Sequence, residues 1–483
     1  MTEQQRPQDD GTPSAVPGPR SESGPESGPE PEHAPQYTSE HAPAPAQAPE
    51  SAPSREERPH AYEGFIARSL ARVTSEAIAP YQTAVVRIGF ALTWLCFLLR
   101  EFPHRHELYG PDGPWSWKLA EELTGSNHAF TVLMWSESTV WFEFVYAVSI
   151  AASVAVILGW RTRTASVVYM VGVLSLQNRS VFMGDGGDNV IHLMAMYVVL
   201  TRCAQVWSLD ARRRRRAARQ PAAGGPTASG GADVTGVVMW SLFGAIMLGS
   251  TVSGGLSVGW GLFFWALWAA QAVWWLVERY MPGSEAHTVC DMVARLAHNA
   301  ALLVIVVEVC FIYSTAGWYK IQGSRWQDGT AVYYPMNLDY FSPWPGLSSF
   351  LAGSGLLILL ATYGTVAVQV AFPFTLFNRR VKNALLAAMI AEHLSIAVLL
   401  GLPFFSMAMI AADAVFLPTI ALVWLGHRFQ GGWDRALARL SPGRGRRTDG
   451  GGHGGGADPG GDGGASTTSP VPQQRSGDGV SVR

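Results

Sequence analysis

Ten stretches of this 483-residue chain are continuously apolar over about the length that a helix needs to cross a lipid bilayer. A hydrocarbon core of about 30 Å requires about 20 helical residues. The runs do not alternate, and backbone polar groups in lipid must pair within their own segment, so we predict helices. The stretches are 82–100, 139–158, 164–181, 188–206, 234–252, 256–277, 299–318, 354–372, 384–402 and 405–426. The sequence therefore predicts an all-α, polytopic membrane bundle of about ten transmembrane helices.

The composition divides the chain into three parts. Residues 1–65 are rich in Pro, Glu, Ser and Ala, and residues 431–483 are rich in Gly, Asp and Ser. Segments of this composition bury too little apolar surface to offset the entropy lost on ordering. We therefore expect two disordered tails around a transmembrane domain at 66–430, with the lipid bilayer as the partner of that domain.

The placement of arginine and lysine predicts the direction of the spans. With a cytoplasmic N-terminus, the inner connections include "GWRTRT", the arginine run 212–216 and "NRRVK", whereas the outer connections carry only isolated cations. This asymmetry follows the positive-inside rule. We therefore expect a cell-membrane protein with both termini in the cytoplasm. The arginine run then lies where it can contact anionic lipid, and topology explains it without a nucleic-acid partner.

Ionisable side chains within the apolar stretches are candidate site residues, since each costs about 2.5–3.5 kcal/mol at the centre of a bilayer. One interpretation places them around an outward-opening polar cavity; the other lets each pair privately with a neighbouring helix. Adjacent residues in a helix point to different faces, so Glu392 and His393 should have separate partners. Asp188, in "GDGGDN", is either a site residue or the cap of the fourth span. The set comprises Arg87, Glu143, Asp188, His192, Glu308, Glu392, His393 and Asp413.

Lys320 directly follows the seventh apolar stretch, in "YSTAGWYKIQGSRWQDG". Trp318 and Trp326 flank it, and Asp328 comes shortly after. Lysines beside Trp and Tyr commonly mark a membrane interface, with the amine reaching water. A lysine amine kept neutral by apolar surroundings is instead a competent general base. The residues alone leave both interpretations open. The "HRH" sequence at 104–106 is too weak a signal for a metal site, and we assign none.

Three segments resemble the horizontally transferred transmembrane (HTTM) family, the bacterial relatives of the vitamin K-dependent gamma-carboxylase. They are "GDGGDN" with the later "WSLDA", then "YSTAGWYKIQGSRWQDGTAVYY", and "AEHLSIAVLLGLPFFSMAMIAADAVFL". The resemblance covers about 75–430, and its most specific block is AG-x-x-K-[IL] followed by W-x-[DE]-G. The fifth and sixth spans, 234–277, fall outside it and look like a two-helix insertion.

The resemblance implies that Lys320 is the base that deprotonates a quinol of the vitamin K or menaquinol type at an outward-facing site. The polar cavity of such an enzyme would be lined by Asp188, His192, Trp318, Trp326, Asp328 and His393. We find no match to the large extracytoplasmic domain of the carboxylase, so the acceptor of the chemistry is left open. The family also includes proteins that look like maturation or export factors. The alternative is therefore a non-catalytic membrane factor that binds a secreted peptide through the aromatic loop 318–346.

Overall fold

The computed structural model describes residues 61–219 and 234–428, nearly all of them within the compact unit Glu63–Arg483. The predicted disordered tails lie outside the described residues, except that residues 61–65 belong to the first helix. All regular structure in the described ranges is helical, with no strand. The helices are α1 (Ala61–Ser75), α2 (Pro80–Glu101), α3 (Arg105–Tyr109), α4 (Trp117–Asn127), α5 (Thr139–Leu158), α6 (Thr162–Arg179), α7 (Gly186–Leu200), α8 (Leu209–Arg219), α9 (Val234–Val252), α10 (Val258–Tyr280), α11 (Glu285–Gln322), α12 (Ser324–Gln327), α13 (Tyr333–Met336), α14 (Pro345–Ala352), α15 (Gly355–Ala371), α16 (Arg379–Leu399), α17 (Pro403–Asp413) and α18 (Thr419–Arg428).

Seven helical segments are long and apolar enough to cross a membrane. They confirm the predicted all-α, multi-pass membrane architecture, and the bounds of α5 and α9 coincide with two predicted spans. The seven are Pro80–Tyr109, Thr139–Leu158, Val234–Val252, Val258–Tyr280, Glu285–Gln322, Gly355–Thr375 and Arg379–Leu399.

The remaining three predicted spans differ from a straight apolar helix. The helix α6 includes Arg163 and Arg179 and buries 11 of its 18 residues, so protein rather than lipid surrounds much of it. The helix α7 has 15 residues, which at 1.5 Å per residue gives about 22 Å. The helices α17 and α18 meet at 115°, which breaks the predicted span 405–426. Length and composition thus give seven spans among the described residues, or eight with the bent pair.

The core lies where α2, α5, α6, α7 and α17 pack together. Small residues allow the close contacts between these helices. A Cβ on Gly89 of α2 would lie only 2.6 Å from the Ala411 Cβ of α17. A Cβ on Gly172 of α6 would likewise meet the Ser149 hydroxyl of α5. Glycine at these two positions therefore sets the distance between the central helices.

The helices α9 and α10 form a hairpin at the edge of the bundle. The rings of Trp240 and Trp268 stack with centroids 3.9 Å apart, and each indole N–H donates to the backbone carbonyl of the other residue. None of the apolar window of α9 is buried within the protein, so this helix presents nearly all its sides to lipid. An edge position is compatible with an insertion at 234–277, which stays a prediction.

The helix α11 is the longest, with 38 residues, or about 57 Å at 1.5 Å per residue. The predicted span 299–318 covers only its later part, because residues 285–298 continue the same helix instead of forming a connection. In this first part Asp291 pairs with Arg202 at 3.1 Å and with Arg295 at 2.9 Å. The early turns of α11 are therefore tied to the segment that follows α7.

Arg87 of α2 is fully buried and closes the C-terminal end of α5. Its Nη1 donates to the backbone carbonyls of Val156 and Ile157, and its Nη2 donates to the Trp207 carbonyl at 2.9 Å. The last carbonyls of a helix lack partners within the helix and carry partial negative charge. Arg87 supplies those partners, so its role is helix packing and not the lining of a cavity.

The break between α17 and α18 is stabilised by side chains from two other helices. The Lys382 amine of α16 donates to the Phe416 carbonyl. The Gln82 amide of α2 donates to the Leu417 carbonyl at 2.8 Å and to the Thr419 hydroxyl at 2.9 Å. The carbonyls freed by the bend are thus paired within the protein.

Replacing Arg87 by Met should lower the free energy of unfolding by about 2 kcal/mol, because three buried carbonyls would lose a charged donor. Thermal unfolding of the purified protein in detergent measures the loss. Arg72→Met is the matched control, since the Arg72 side chain on α1 is 72% exposed, and its unfolding should be unchanged. An Arg87→Met protein as stable as the parent would contradict this role for Arg87.

Candidate functional site

Lys320 lies in the last turn of α11 with a half-buried side chain. Its Nζ donates to the Oε1 atom of Gln369 on α15 at 2.7 Å and lies 5.2 Å from the centre of the Trp326 ring. The Nε2 atom of Gln369 donates in turn to the Oε1 atom of Glu392 on α16 at 2.7 Å. Only the amide oxygen can accept from an ammonium, and only the amide nitrogen can donate to a carboxylate. The three side chains therefore form one directed chain of hydrogen bonds across three helices.

Gly317, the glycine of the AG-x-x-K block, has a packing role that explains its spacing from the lysine. A Cβ on Gly317 would lie 2.6 Å from the Cγ2 atom of Val370 on α15. The helices α11 and α15 can therefore approach this closely only where α11 has no side chain. Val370 follows Gln369 in the sequence, so the close contact brings the Gln369 amide to Lys320, one helical turn beyond Gly317.

A second polar cluster lies two helical turns before Lys320 on α11. The Tyr313 hydroxyl donates to the Oδ1 atom of Asp413 at 2.9 Å and lies 3.1 Å from the Nε2 atom of His393. The exposed fractions of Tyr313, His393 and Asp413 are 1%, 2% and 0%. The Tyr313 hydroxyl thus joins the carboxyl group to the imidazole, and the direction of its bond with His393 depends on the imidazole tautomer. The Nδ1 atom of His393 and the Oδ2 atom of Asp413 are buried without a protein partner.

The two clusters meet at the adjacent residues Glu392 and His393. Glu392 belongs to the Lys320 chain and His393 to the Tyr313 cluster, which confirms the expectation that they have separate partners. Glu308, one further acid on α11, lies near Tyr197 of α7 and belongs to neither cluster. The polar groups on this side of the bundle therefore form two layers at different heights along α11.

Asp188 and His192 lie elsewhere, at a separate cavity of about 400 Å³. Asp185 and Asp188 form a capping box at the start of α7, in which the Asp188 carboxylate accepts from the Asp185 N–H at 2.9 Å. The N-cap is therefore Asp185 and not Asp188, which stands at the third helical position as the reciprocal member of the box and also lines the cavity. The Nδ1 atom of His192 lies 3.0 Å from the Oε1 atom of Gln177 on α6. The cavity is lined by Phe97, Tyr109, Gln177, Asn178, Ser180, Val181, Met183, Gly184, Asp188, Asn189, His192 and Leu193.

Phe405, near the start of α17, contacts both His393 of the Tyr313 cluster and the glycines at the start of α7. Its ring centre is 5.7 Å from that of His393. Its backbone approaches α7 so closely that a Cβ on Gly187 would lie 2.7 Å from the Phe405 Cα. The residues that line the cavity do not include Lys320. Within the described residues, the predicted site residues therefore do not line one common cavity.

The predicted lining residues divide accordingly. Trp326 contacts the Lys320 amine, as described above. Trp318 is 63% exposed, and its place two residues before Lys320 in a helix directs it to a different face. Asp328 is exposed in the loop after α12, where it accepts from the Thr330 hydroxyl and from the Thr330 N–H at 3.0 Å. These bonds hold the pKa of Asp328 below its ordinary value. The Asp328 carboxylate therefore stabilises the loop in which it lies.

Sequence reasoning missed Gln369 and Tyr313, because it searched for ionisable side chains and both are uncharged. A signal was present for each residue. Gln369 interrupts the apolar run "TYGTVAVQVAF", and Tyr313 lies on the same face of α11 as Lys320, two turns away. Amide side chains within apolar spans commonly hydrogen-bond to a neighbouring helix, as Gln369 does here.

The "HRH" sequence contacts an acid of α5. Arg105 donates to Glu143 from Nε at 3.0 Å, and the Nε2 atom of His106 lies 2.6 Å from the same carboxylate. Within residues 61–219 and 234–428, no group of three or more His, Cys, Asp or Glu side chains is placed to hold a metal ion. The two basic side chains therefore join α3 to the first half of α5.

Tyr313→Phe should lower the free energy of unfolding by about 1–3 kcal/mol, because it leaves Asp413 and His393 buried without their shared partner. Thermal unfolding in detergent measures this change. Tyr319→Phe is the matched control, since Tyr319 is 74% exposed, and it should unfold like the parent. Equal stability of the two variants would show that the Tyr313 hydroxyl does not stabilise the fold.

No protein-family model matches the chain, and no curated protein or solved structure shows significant similarity to it. Membership of the HTTM family therefore stays a prediction from the residues that resemble it.

Proposed function

We propose that the protein is a multi-pass enzyme of the cell membrane that removes a proton from a quinol, with Lys320 as the base on the outward-facing side. The observation that carries the proposal is the bond from the Lys320 amine to an amide oxygen of Gln369. A carboxylate in that position would hold the lysine as an ammonium ion through a direct ion pair. An amide oxygen orients the amine without that full opposing charge, so the amine can take up and release a proton.

Two neighbours stabilise the positive charge that Lys320 gains when it accepts a proton. The Trp326 ring lies 5.2 Å from the amine, within the range of a cation–π interaction. The Glu392 carboxylate lies one hydrogen bond further away, beyond Gln369. Gln369 is therefore a positioning residue, which fixes the amine on one side and the carboxylate on the other.

The surroundings of Lys320 fit a quinol in two respects, and the identity of the substrate rests on the HTTM resemblance. Trp326 offers an aromatic face beside the amine, which suits the flat ring of a quinol. Lys320 is only half-buried, so a ligand that diffuses in the membrane can reach it from the surface of the bundle. A bound quinol would supply the acidic hydroxyl, while the chain supplies the base and its orientation.

Lys320→Met should lower quinol oxidation at least about 100-fold, because a general base contributes about 10²–10⁴-fold to a rate. The measurement is consumption of vitamin K hydroquinone or menaquinol under oxygen by the protein in nanodiscs, corrected for empty nanodiscs. Lys118→Met is the control, since Lys118 is exposed on α4, and it should keep the parent rate. Quinol oxidation no faster with the folded parent than with Lys320→Met would refute the proposal.

Gln369→Leu separates positioning from basicity. It keeps the lysine but removes its link to Glu392, so the turnover should fall less than in Lys320→Met. Lys320→Arg keeps the positive charge but replaces the amine with a guanidinium, which does not deprotonate in proteins. The arginine variant should therefore be as inactive as Lys320→Met.

One observation favours the alternative, a non-catalytic membrane factor that binds a secreted peptide. Several aromatic side chains around the loop 318–346 are exposed, with fractions of 63% for Trp318, 85% for Tyr340 and 59% for Trp344. Exposed aromatic rings contribute strongly to peptide-binding surfaces, although they also mark membrane interfaces. On this alternative Lys320→Arg would be tolerated, because the charge persists, whereas Trp344→Ala would reduce secretion of the peptide. The two lysine variants thus distinguish the candidate functions.

A further inference from the structure

The helix α8 carries a large excess of positive charge. It contains six arginines and one acid, Asp210. The side chains at 212–218 are exposed. Two of the arginines have a protein contact, since Arg213 lies 3.9 Å from Asp210 and Arg214 donates to the Ala204 carbonyl at 2.6 Å. The charge of the helix is therefore mostly uncompensated by the described residues around it.

Asp210 fixes α8 to the turn between α5 and α6. Its carboxylate accepts from the N–H groups of Arg161 and Thr162, at 3.0 and 2.8 Å, and from the Thr162 hydroxyl at 2.8 Å. The Asp210 N–H also donates to the Gly159 carbonyl at 3.0 Å. Since α5 is a membrane-length apolar helix that ends at Leu158, the arginines are held just beyond the end of a span.

Three of the arginines share a small site on this helix. Arg212, Arg213 and Arg216 line a shallow cavity of about 130 Å³ together with Leu209. Residues four apart lie on the same face of a helix, so Arg212 and Arg216 reach the site from consecutive turns. Guanidinium groups bind phosphate oxygens in pairs of parallel hydrogen bonds. Three of them around a space of this size fit one phosphate group.

We propose that Arg212, Arg213 and Arg216 bind the phosphate of an anionic phospholipid headgroup. A lipid is the occupant that the geometry favours, because the site lies at the level where α5 leaves the hydrocarbon region and headgroups begin. Anionic headgroups attract arginines that lie immediately beyond a span. The site is separate from Lys320, so the inference stands whether or not the protein oxidises a quinol.

Native mass spectrometry of the full chain in detergent, with added phosphatidylglycerol or phosphatidylcholine, tests the site. Arg212→Gln/Arg216→Gln should reduce phosphatidylglycerol retention about tenfold, since it removes two of the three guanidinium groups that line the cavity. Phosphatidylcholine retention should not change. The charge-matched control is Arg379→Gln/Arg380→Gln, which removes two exposed arginines from the start of α16 and should leave phosphatidylglycerol retention intact. Thermal unfolding verifies that both double variants are folded.

Three results would overturn the proposal. Equal loss of phosphatidylglycerol from both double variants would show a general effect of charge without a site on α8. Displacement of the lipid by inorganic phosphate at low millimolar concentration would assign the three arginines to a soluble phosphate. Binding of double-stranded DNA by the parent, lost in Arg212→Gln/Arg216→Gln while lipid retention is unchanged, would assign them to a nucleic acid.

Discussion

A polar group in the hydrocarbon region has no water to bind, and at three places in the described residues a side chain pairs with backbone carbonyls that a helix end or a bend leaves free. Arg87 takes the carbonyls at the end of α5. Gln82 and Lys382 take those at the bend after α17. Arg179, buried at the end of α6, donates to the carbonyls of Gly110 and Trp115. Three of these donors are cations. A charged side chain within a membrane span is usually interpreted as part of a functional site. Here their first role is to complete the backbone pairing.

In the candidate site, too, buried polar side chains pair with one another. Its two layers differ in how far they are buried and in how directly the charged groups are paired. In the deeper layer, Tyr313 pairs an imidazole with a carboxylate in nearly complete burial, so these groups hold α11, α16 and α17 together. In the upper layer, Lys320 reaches a carboxylate only through the Gln369 amide and remains half-buried. A fixed lower layer beneath an accessible upper one is the arrangement that positions a reactive group without immobilising it.

Helix positions could be predicted from the sequence because a continuous apolar run long enough to cross a bilayer can form little else than a helix. The predicted spans were least accurate for helices that are surrounded by protein rather than lipid. The buried helix α6 tolerates arginines, and Pro418 lies in the break just before α18, where it interrupts a largely apolar stretch. A prediction based only on the length of apolar runs takes no account of such residues. Proline, however, cannot continue a helix without the loss of a backbone hydrogen bond.

The candidate site was predictable only in part. Lys320 and its neighbour Trp326 follow from the local sequence. Gln369 does not, because its contact with Lys320 depends on the close approach of α15 to Gly317. His192 pairs with Gln177 of α6, so its place apart from Lys320 likewise depends on contacts between helices. Contacts of this kind arise between segments distant in sequence, and no local pattern encodes them.

The length of α11 has a mechanical consequence. At about 57 Å it exceeds a hydrocarbon core of about 30 Å, so it either projects from the membrane or tilts strongly within it. The helix is unbroken, and the ion pairs of Asp291 hold its first part while Lys320 lies in its last turn. A tilt of this rod, produced by a change at the ion pairs, would shift the lysine amine relative to α15 and α16. One continuous helix thereby links the ion pairs of Asp291 to the hydrogen-bonded lysine amine.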